Sequence, residues 1–119
     1  FMSVFFQIKR KDSIKKITKE NCSLIREAIS QFIKEKITIK KPNDLLIKKQ
    51  KICGILQETL IINNKKFIIV GVGLNLSNSP KIKNYPTTFL NKYTNKKVSK
   101  LMLFLKIKEL YEKKLNYLK

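Results

Sequence analysis

The chain has 119 residues, enough for one hydrophobic core and too few for two. Its apolar fraction of 43% is that of a folding chain, while 27 Lys and Arg against 8 Asp and Glu give a net charge of +19. It contains no histidine, which excludes Ser-His-Asp and Cys-His catalysis, H-E-x-x-H zinc sites and the facial iron triad.

The positive charge is nearly all lysine, with Arg10 and Arg26 the two arginines, and lysine, isoleucine and asparagine are high together. The lysines are scattered rather than gathered. Compositional drift therefore accounts for the charge better than a nucleic-acid-binding module, the reading that charge alone would support. Cys22 and Cys53 form no C-x-x-C pair and read as free, half-buried thiols of a reducing compartment. No apolar run reaches membrane-spanning length and no n-region, h-region and cleavage site appear, so no membrane partner is expected and cytoplasm is the expected location.

In chain order, Phe1–Ile8 is strand-like, with Val4, Phe6 and Ile8 on one face and Phe5 suggesting burial of the other as well. Lys9–Lys16 reads as a basic loop. A helix is expected from Thr18 or Asn21, either of which can cap it, to about Lys36, because Leu24, Ile25, Ala28, Ile29, Phe32 and Ile33 repeat at helical spacing. Ile37-Thr38-Ile39 is a short strand, and Pro42-Asn43-Asp44 a tight turn. Leu45-Leu46-Ile47 leads to a polar corner at Lys48-Lys49-Gln50, and Lys51–Glu58 is the next strand. Asn63-Asn64 supplies a hairpin turn. The run Phe67-Ile68-Ile69-Val70 suits a strand covered on both faces and ends in Gly71-Val72-Gly73-Leu74-Asn75.

Leu76–Asn84 is a polar loop. A short helix is expected from Pro86 to about Tyr93. A final helix capped by Ser99 carries Phe104, Ile107, Tyr111, Leu115 and Leu118 as its apolar stripe, with Glu109 one turn before Lys113. The third glycine of a dinucleotide fingerprint is missing, Leu76 standing in its place, and no Walker loop occurs.

Taken singly, Lys40, Asn43, Asp44, Lys51, Gly54 and Asn75 each have an ordinary structural reading: solvated strand ends, turn formers, close strand contacts and a strand cap. Their order carries more. Lys40-Lys41-Pro42-Asn43-Asp44, then Lys51-Ile52-Cys53-Gly54-Ile55-Leu56-Gln57-Glu58, then Gly71-Val72-Gly73-Leu74-Asn75 resembles the three blocks of the biotin protein ligase catalytic domain. Those blocks are K-W-P-N-D, K-[IL]-x-G-I-L-x-E and G-[IV]-G-[IV]-N. Lys41 stands where the family usually has tryptophan.

The resemblance implies an α+β fold, a mixed and largely antiparallel sheet packed by helices, with residues 1–119 forming the C-terminal half of the catalytic domain. The family's G-R-G-R-x-x-R loop and the Ser/Thr residues that hold biotin are expected upstream of Phe1. The implied enzyme is a biotin–[acetyl-CoA-carboxylase] ligase, which makes biotinyl-adenylate from biotin and ATP and then passes biotin to a lysine of a carboxylase carrier domain. By the same resemblance Lys51 is the catalytic group, meeting both the biotin carboxylate and the α-phosphate. Lys40 and Asn43 would face the phosphates and their magnesium, with no protein ligand to the metal assigned. Asp44 would orient the polar loop, Gly54 would leave room beside biotin, and Asn75 would hydrogen-bond the adenine. The competing readings are an inactive remnant that serves as a binding module, and a lipoate- or octanoyl-transfer enzyme, from which K-x-P-N-D with G-I-L-x-E points away.

Overall fold

The structure, a computed structural model, describes residues 1–9 and 11–117, with side chains described through Lys114. Five strands and two helices follow one another as β1 (Met2–Ile8), α1 (Ile14–Ser30), β2 (Ile37–Lys40), β3 (Asp44–Ile47), β4 (Gln50–Ile62), β5 (Lys65–Leu74) and α2 (Lys100–Tyr117). The strands form one sheet in the order β1-β5-β4-β3-β2, every neighbouring pair antiparallel. The parallel element among the described residues is a single bridge from Lys51 to Thr87.

Two-residue turns account for this meander. Lys48 and Lys49, with φ of 50° and 65°, close β3 onto β4, and Asn63 and Asn64, with φ of 50° and 64°, close β4 onto β5. Left-handed backbone at both central residues gives a turn whose twist matches the flanking strands. Residues 41–43 form the third turn.

Both helices cover one face of the sheet. α1 buries Ile17, Cys22, Leu24, Ile25, Ala28 and Ile29, which meet Ile52, Ile55, Ile68, Val70 and Val72 of the central strands in a single core. α2 adds Leu103, Ile107 and Tyr111, the last packing its ring 6.0 Å from that of Phe6. A polar thread runs through this layer. The Tyr111 phenol donates to Asn21 Oδ1 at 2.8 Å, Asn21 donates to Gln57 at 2.7 Å, and Gln57 donates to the Thr18 hydroxyl at 2.7 Å. Each buried polar group thus has a partner, which removes the cost of burying it.

Several expectations change here. α1 begins a turn earlier than expected, because Ser13 rather than Thr18 or Asn21 is the cap: its Oγ accepts from Lys16 N–H. The helix stops at Ser30, and residues 31–36 turn the chain so that Ile37 can enter the sheet. No α-helix starts at Pro86. That segment is extended, because the Pro86 carbonyl accepts from Lys51 N–H at 2.9 Å and Thr88 N–H donates to the Lys51 carbonyl at 2.8 Å; only Leu90–Lys92 forms a 3-10 turn. Ser99 caps α2 as expected, its Oγ accepting from Met102 N–H, and Glu109 pairs with Lys113 at 3.2 Å. The buried stripe of α2 is Leu103, Ile107 and Tyr111, so Phe104 faces outward. Leu118 and the Leu115 side chain lie outside the described residues.

The second face of the sheet is not covered in the way Phe5 and the run at Phe67 suggested. Phe5 is 54% exposed and stacks flat on Phe67 at 5.1 Å, while Leu56 is 65% exposed. This open apolar face adjoins the site described below.

Two stability predictions follow from the core. Ile25 is fully buried between helix and sheet. Ile25→Ala is expected to cost about 2–5 kcal/mol in urea unfolding, against less than about 0.5 kcal/mol for an exposed change such as Lys97→Ala.

The second concerns pH. Burial pushes the Cys53 thiol from its ordinary 9.0 up to about 12. A thiol whose folded value is raised is held protonated by the fold, so its contribution is intact below pH 9 and is lost as pH rises from 9 through 12. Wild type is therefore expected to lose stability relative to Cys53→Ala between pH 9 and 11 in urea titrations. Parallel curves over that range would contradict a buried neutral thiol.

Candidate active site

The site grows from strand register. Lys40 pairs with Asp44, Asp44 with Gly54, and Gly54 with Gly73, so one row crosses β2, β3, β4 and β5. Directly paired residues share a face, which places these four on the open side of the sheet. In the next non-adjacent pair along β4, Leu56 faces Gly71. All three glycines of the chain therefore lie together on that face.

Lys51 reaches this row through an irregularity. Period-2 alternation would put Lys51 and Gly54, three residues apart, on opposite faces. The β3–β4 register shifts between Leu45 and Leu46, so that Leu45 pairs with Cys53 but Leu46 with Lys51. The extra residue in β4 turns Ile52 and Cys53 both inward, at 0% and 1% exposure, and returns Lys51 to the glycine face. Its side chain then lies over Gly54. A Cβ at Gly54 would come 3.2 Å from Lys51 Nζ and 3.3 Å from its Cε, tighter than ordinary contacts. Glycine there lets the lysine lie close over the strand, and a side chain would shift its tip by a few tenths of an ångström.

The ammonium of Lys51 stands 3.3 Å from Asp44 Oδ1. Asp44 Oδ2 accepts the phenolic proton of Tyr85, a residue of the polar segment. The Tyr85 ring in turn faces two cations, Lys40 Nζ at 4.7 Å and Lys51 Nζ at 5.5 Å from its centroid. The hydrogen bond to Asp44 raises the phenol above its ordinary ionisation range. Both Lys51 and Asp44 retain some solvent contact, so the pair is a modest contributor to stability and remains available to another charge.

These groups open onto a groove of about 370 Å³ lined by Asn43, Asp44, Lys51, Gly54, Gly73 and Asn75, with Leu56 and Phe1 forming an apolar wall. Gly71 lets the Phe1 ring approach, since a Cβ there would stand 3.1 Å from Phe1 Cζ. Asn75 lines the same groove and is held by its backbone and its side chain. Its backbone N–H donates to Ile52, its carbonyl accepts from Leu90 N–H, and its side-chain amide donates to the Thr88 carbonyl at 3.1 Å. Of the six residues singled out in the sequence, five line the groove; Lys40 sits at its rim, exposed, and meets the others through Tyr85.

Tyr85, Thr87 and the bulge were not singled out from the sequence. A tyrosine between Asn84 and Pro86 gives little sign that its side chain reaches back to a strand forty residues earlier. Among the described residues no group of three or more His, Cys, Asp or Glu gathers to hold a metal, and no helix is long and apolar enough to cross a membrane.

The sequence pattern of the Biotin/lipoate A/B protein ligase family matches residues 2–75, which contain every strand and all six candidate residues. The chain belongs to this family. No curated protein matches it. Among solved structures, the chain is similar to biotin protein ligase from Aquifex aeolicus in complex with biotin and ATP. The TM-score is 0.75 with 20% identity, over 96% of this chain and 48% of that one. Biotin protein ligase from Leishmania major in complex with biotin gives a TM-score of 0.73 with 16% identity, over 91% and 50% of the two chains. LipL1 from P. falciparum, in complex with lipoate, gives 0.64 with 16% identity, over 93% and 33%. The chain thus has the biotin/lipoate ligase catalytic fold and spans about half the length of the biotin protein ligases it matches.

Proposed function

We propose that residues 1–119 form the C-terminal half of a biotin protein ligase catalytic domain and carry the nucleotide side of its active site. The observation that carries this reading is the placement of Lys51 across Gly54, beside Asp44, in a groove that Asn43 and Asn75 also line.

In the reaction a biotin carboxylate oxygen bonds to the α-phosphorus of ATP while the bond to the bridging oxygen breaks and pyrophosphate leaves. Two anions must approach one another, and a fixed ammonium between them offsets the repulsion where water is scarce. Lys51 is that ammonium. It would exchange its Asp44 partner for the incoming oxygens or share itself among them. Lys40 and Asn43 face the phosphates from the groove rim, and Asp44 holds the polar segment through Tyr85. Gly54 leaves room for biotin beside the strand. Asn75 already spends a side-chain amide hydrogen on Thr88, so its side-chain Oδ1 is the atom suited to accept from the adenine amino group. In the second step the amine of a carrier-domain lysine attacks the acyl carbon of biotinyl-adenylate, and AMP leaves.

Magnesium would offset charge on the phosphates. The groove offers it one carboxylate, Asp44, so phosphate oxygens and water would supply most of its ligands.

The experiment is transfer to a biotin carboxyl carrier domain, with the chain supplemented by an upstream half carrying the glycine- and arginine-rich loop. Biotin should be attached in an ATP-dependent way and lost when the acceptor lysine is replaced by arginine. Labelling with lipoate in place of biotin would move the assignment to the lipoate branch of the family.

A further inference from the structure

Tyr85 meets Asp44, Lys40 and Lys51 together beside the groove, and the backbone of its segment is tied to that of Lys51. Asn84 takes a φ of 63°, and Tyr85 N–H donates back to Ile82, which makes a tight turn. Immediately afterwards residues 86–88 bracket Lys51: Pro86 accepts from its N–H, Thr87 pairs beside it, and Thr88 donates to its carbonyl. The segment that presents Tyr85 is therefore hydrogen-bonded to the backbone of the lysine whose side chain Tyr85 faces.

We propose that Tyr85 is a positioning residue for Lys51: its phenol fixes Asp44 by one oxygen so that the other faces the ammonium, while its ring flanks Lys40 and Lys51. This rests on the reading of Lys51 given above. An aspartate held only by a flexible lysine samples several rotamers, whereas one anchored through Oδ2 by a neutral donor is restricted to the rotamer that presents Oδ1. The ring adds a surface to which both cations are attracted without neutralising either. Lys51 is thereby pre-set before any anion arrives, which is what a preorganised electrostatic group requires. The raised ionisation of the phenol agrees with a donor bound to a carboxylate.

Tyr85→Phe keeps the ring and its packing and deletes the hydrogen bond, so it separates positioning from a filler role. In the chain labelled with ¹⁵N-lysine, the water exchange of the Lys51 ammonium protons is measured beside two references, exposed Lys49 and Lys106, which pairs with Glu109 at 3.3 Å. Y85F is expected to speed Lys51 exchange about fivefold, toward the Lys49 value, and to leave Lys106 unchanged. D44N should give a similar rise, and the double variant should add nothing beyond D44N. An unchanged Lys51 rate in Y85F, with an intact amide spectrum, would overturn the proposal.

The kinetic arm uses the chain with its upstream half. Adenylate formation by Y85F should fall about tenfold in kcat with KM for ATP within twofold; an unchanged kcat would also overturn it. If wild type itself forms no adenylate, the functional reading fails on its own account and the exchange measurement alone decides the role of Tyr85.

Discussion

Lys51→Gln is expected to depress adenylate formation by about 30- to 1000-fold, the effect of removing about 2–4 kcal/mol of fixed electrostatic stabilisation. Lys48→Gln and Lys49→Gln should each change the rate less than about threefold. The three lysines lie within four residues, yet geometry separates them. Lys48 and Lys49 occupy the left-handed turn between β3 and β4 and are exposed there. Lys51, one residue into the strand, is turned by the bulge onto the glycine face and held beside Asp44. Glutamine keeps much of the length and loses the charge, so the comparison isolates the cation. Equal and mild effects at all three positions, measured in a single-turnover assay with the upstream half present, would return Lys51 to an ordinary strand-end lysine.

The second large effect concerns the chain by itself, which should form biotinyl-adenylate at less than about a thousandth of the completed rate. The described groove is lined by Lys51, Asp44 and Asn75 and also by the open apolar face, where Leu56 is 65% and Phe1 89% exposed. Two substrates that must meet in line need both held, and lost orientation alone is worth several kcal/mol. Half of such a pocket is thus expected to be nearly inert rather than half as active. A sheet face of this composition also invites association, so the isolated chain should sediment as oligomers at high concentration.

Much of this was legible in the sequence because it depends on local chemistry. Asn63-Asn64 marks its hairpin by tolerance of left-handed backbone, whereas Lys48-Lys49 reads only as a polar corner and takes the same turn without that signal. The three blocks fall in register once both turns close. The candidate residues were singled out by their order rather than by any single property, and five of the six line one groove. What escaped the sequence depends on tertiary pairing. The bulge at Ile52-Cys53 inserts one residue into an apolar run, where inward and outward positions look alike. Pro86 favours a helix start by its own geometry, but backbone pairing with Lys51 draws the segment extended. In α2 five successive apolar residues, Leu101 to Leu105, leave the phase of the stripe open, and packing against Phe6 and Asn21 selects Leu103 over Phe104. Ser13 sits among lysines that suggest a loop, although it is as good a cap as Asn21.

The most direct test of the account is pyrophosphate release with ATP and magnesium, in the presence and absence of biotin, for this chain alone, for the upstream half alone, and for the two together. The expected result is biotin-dependent release from the combination only, slowed by about 30-fold or more when the combination carries Lys51→Gln. Biotin-dependent turnover by the chain alone would contradict the claim that it holds half of the site, and a combined rate left within about threefold by Lys51→Gln would contradict the role proposed for that lysine.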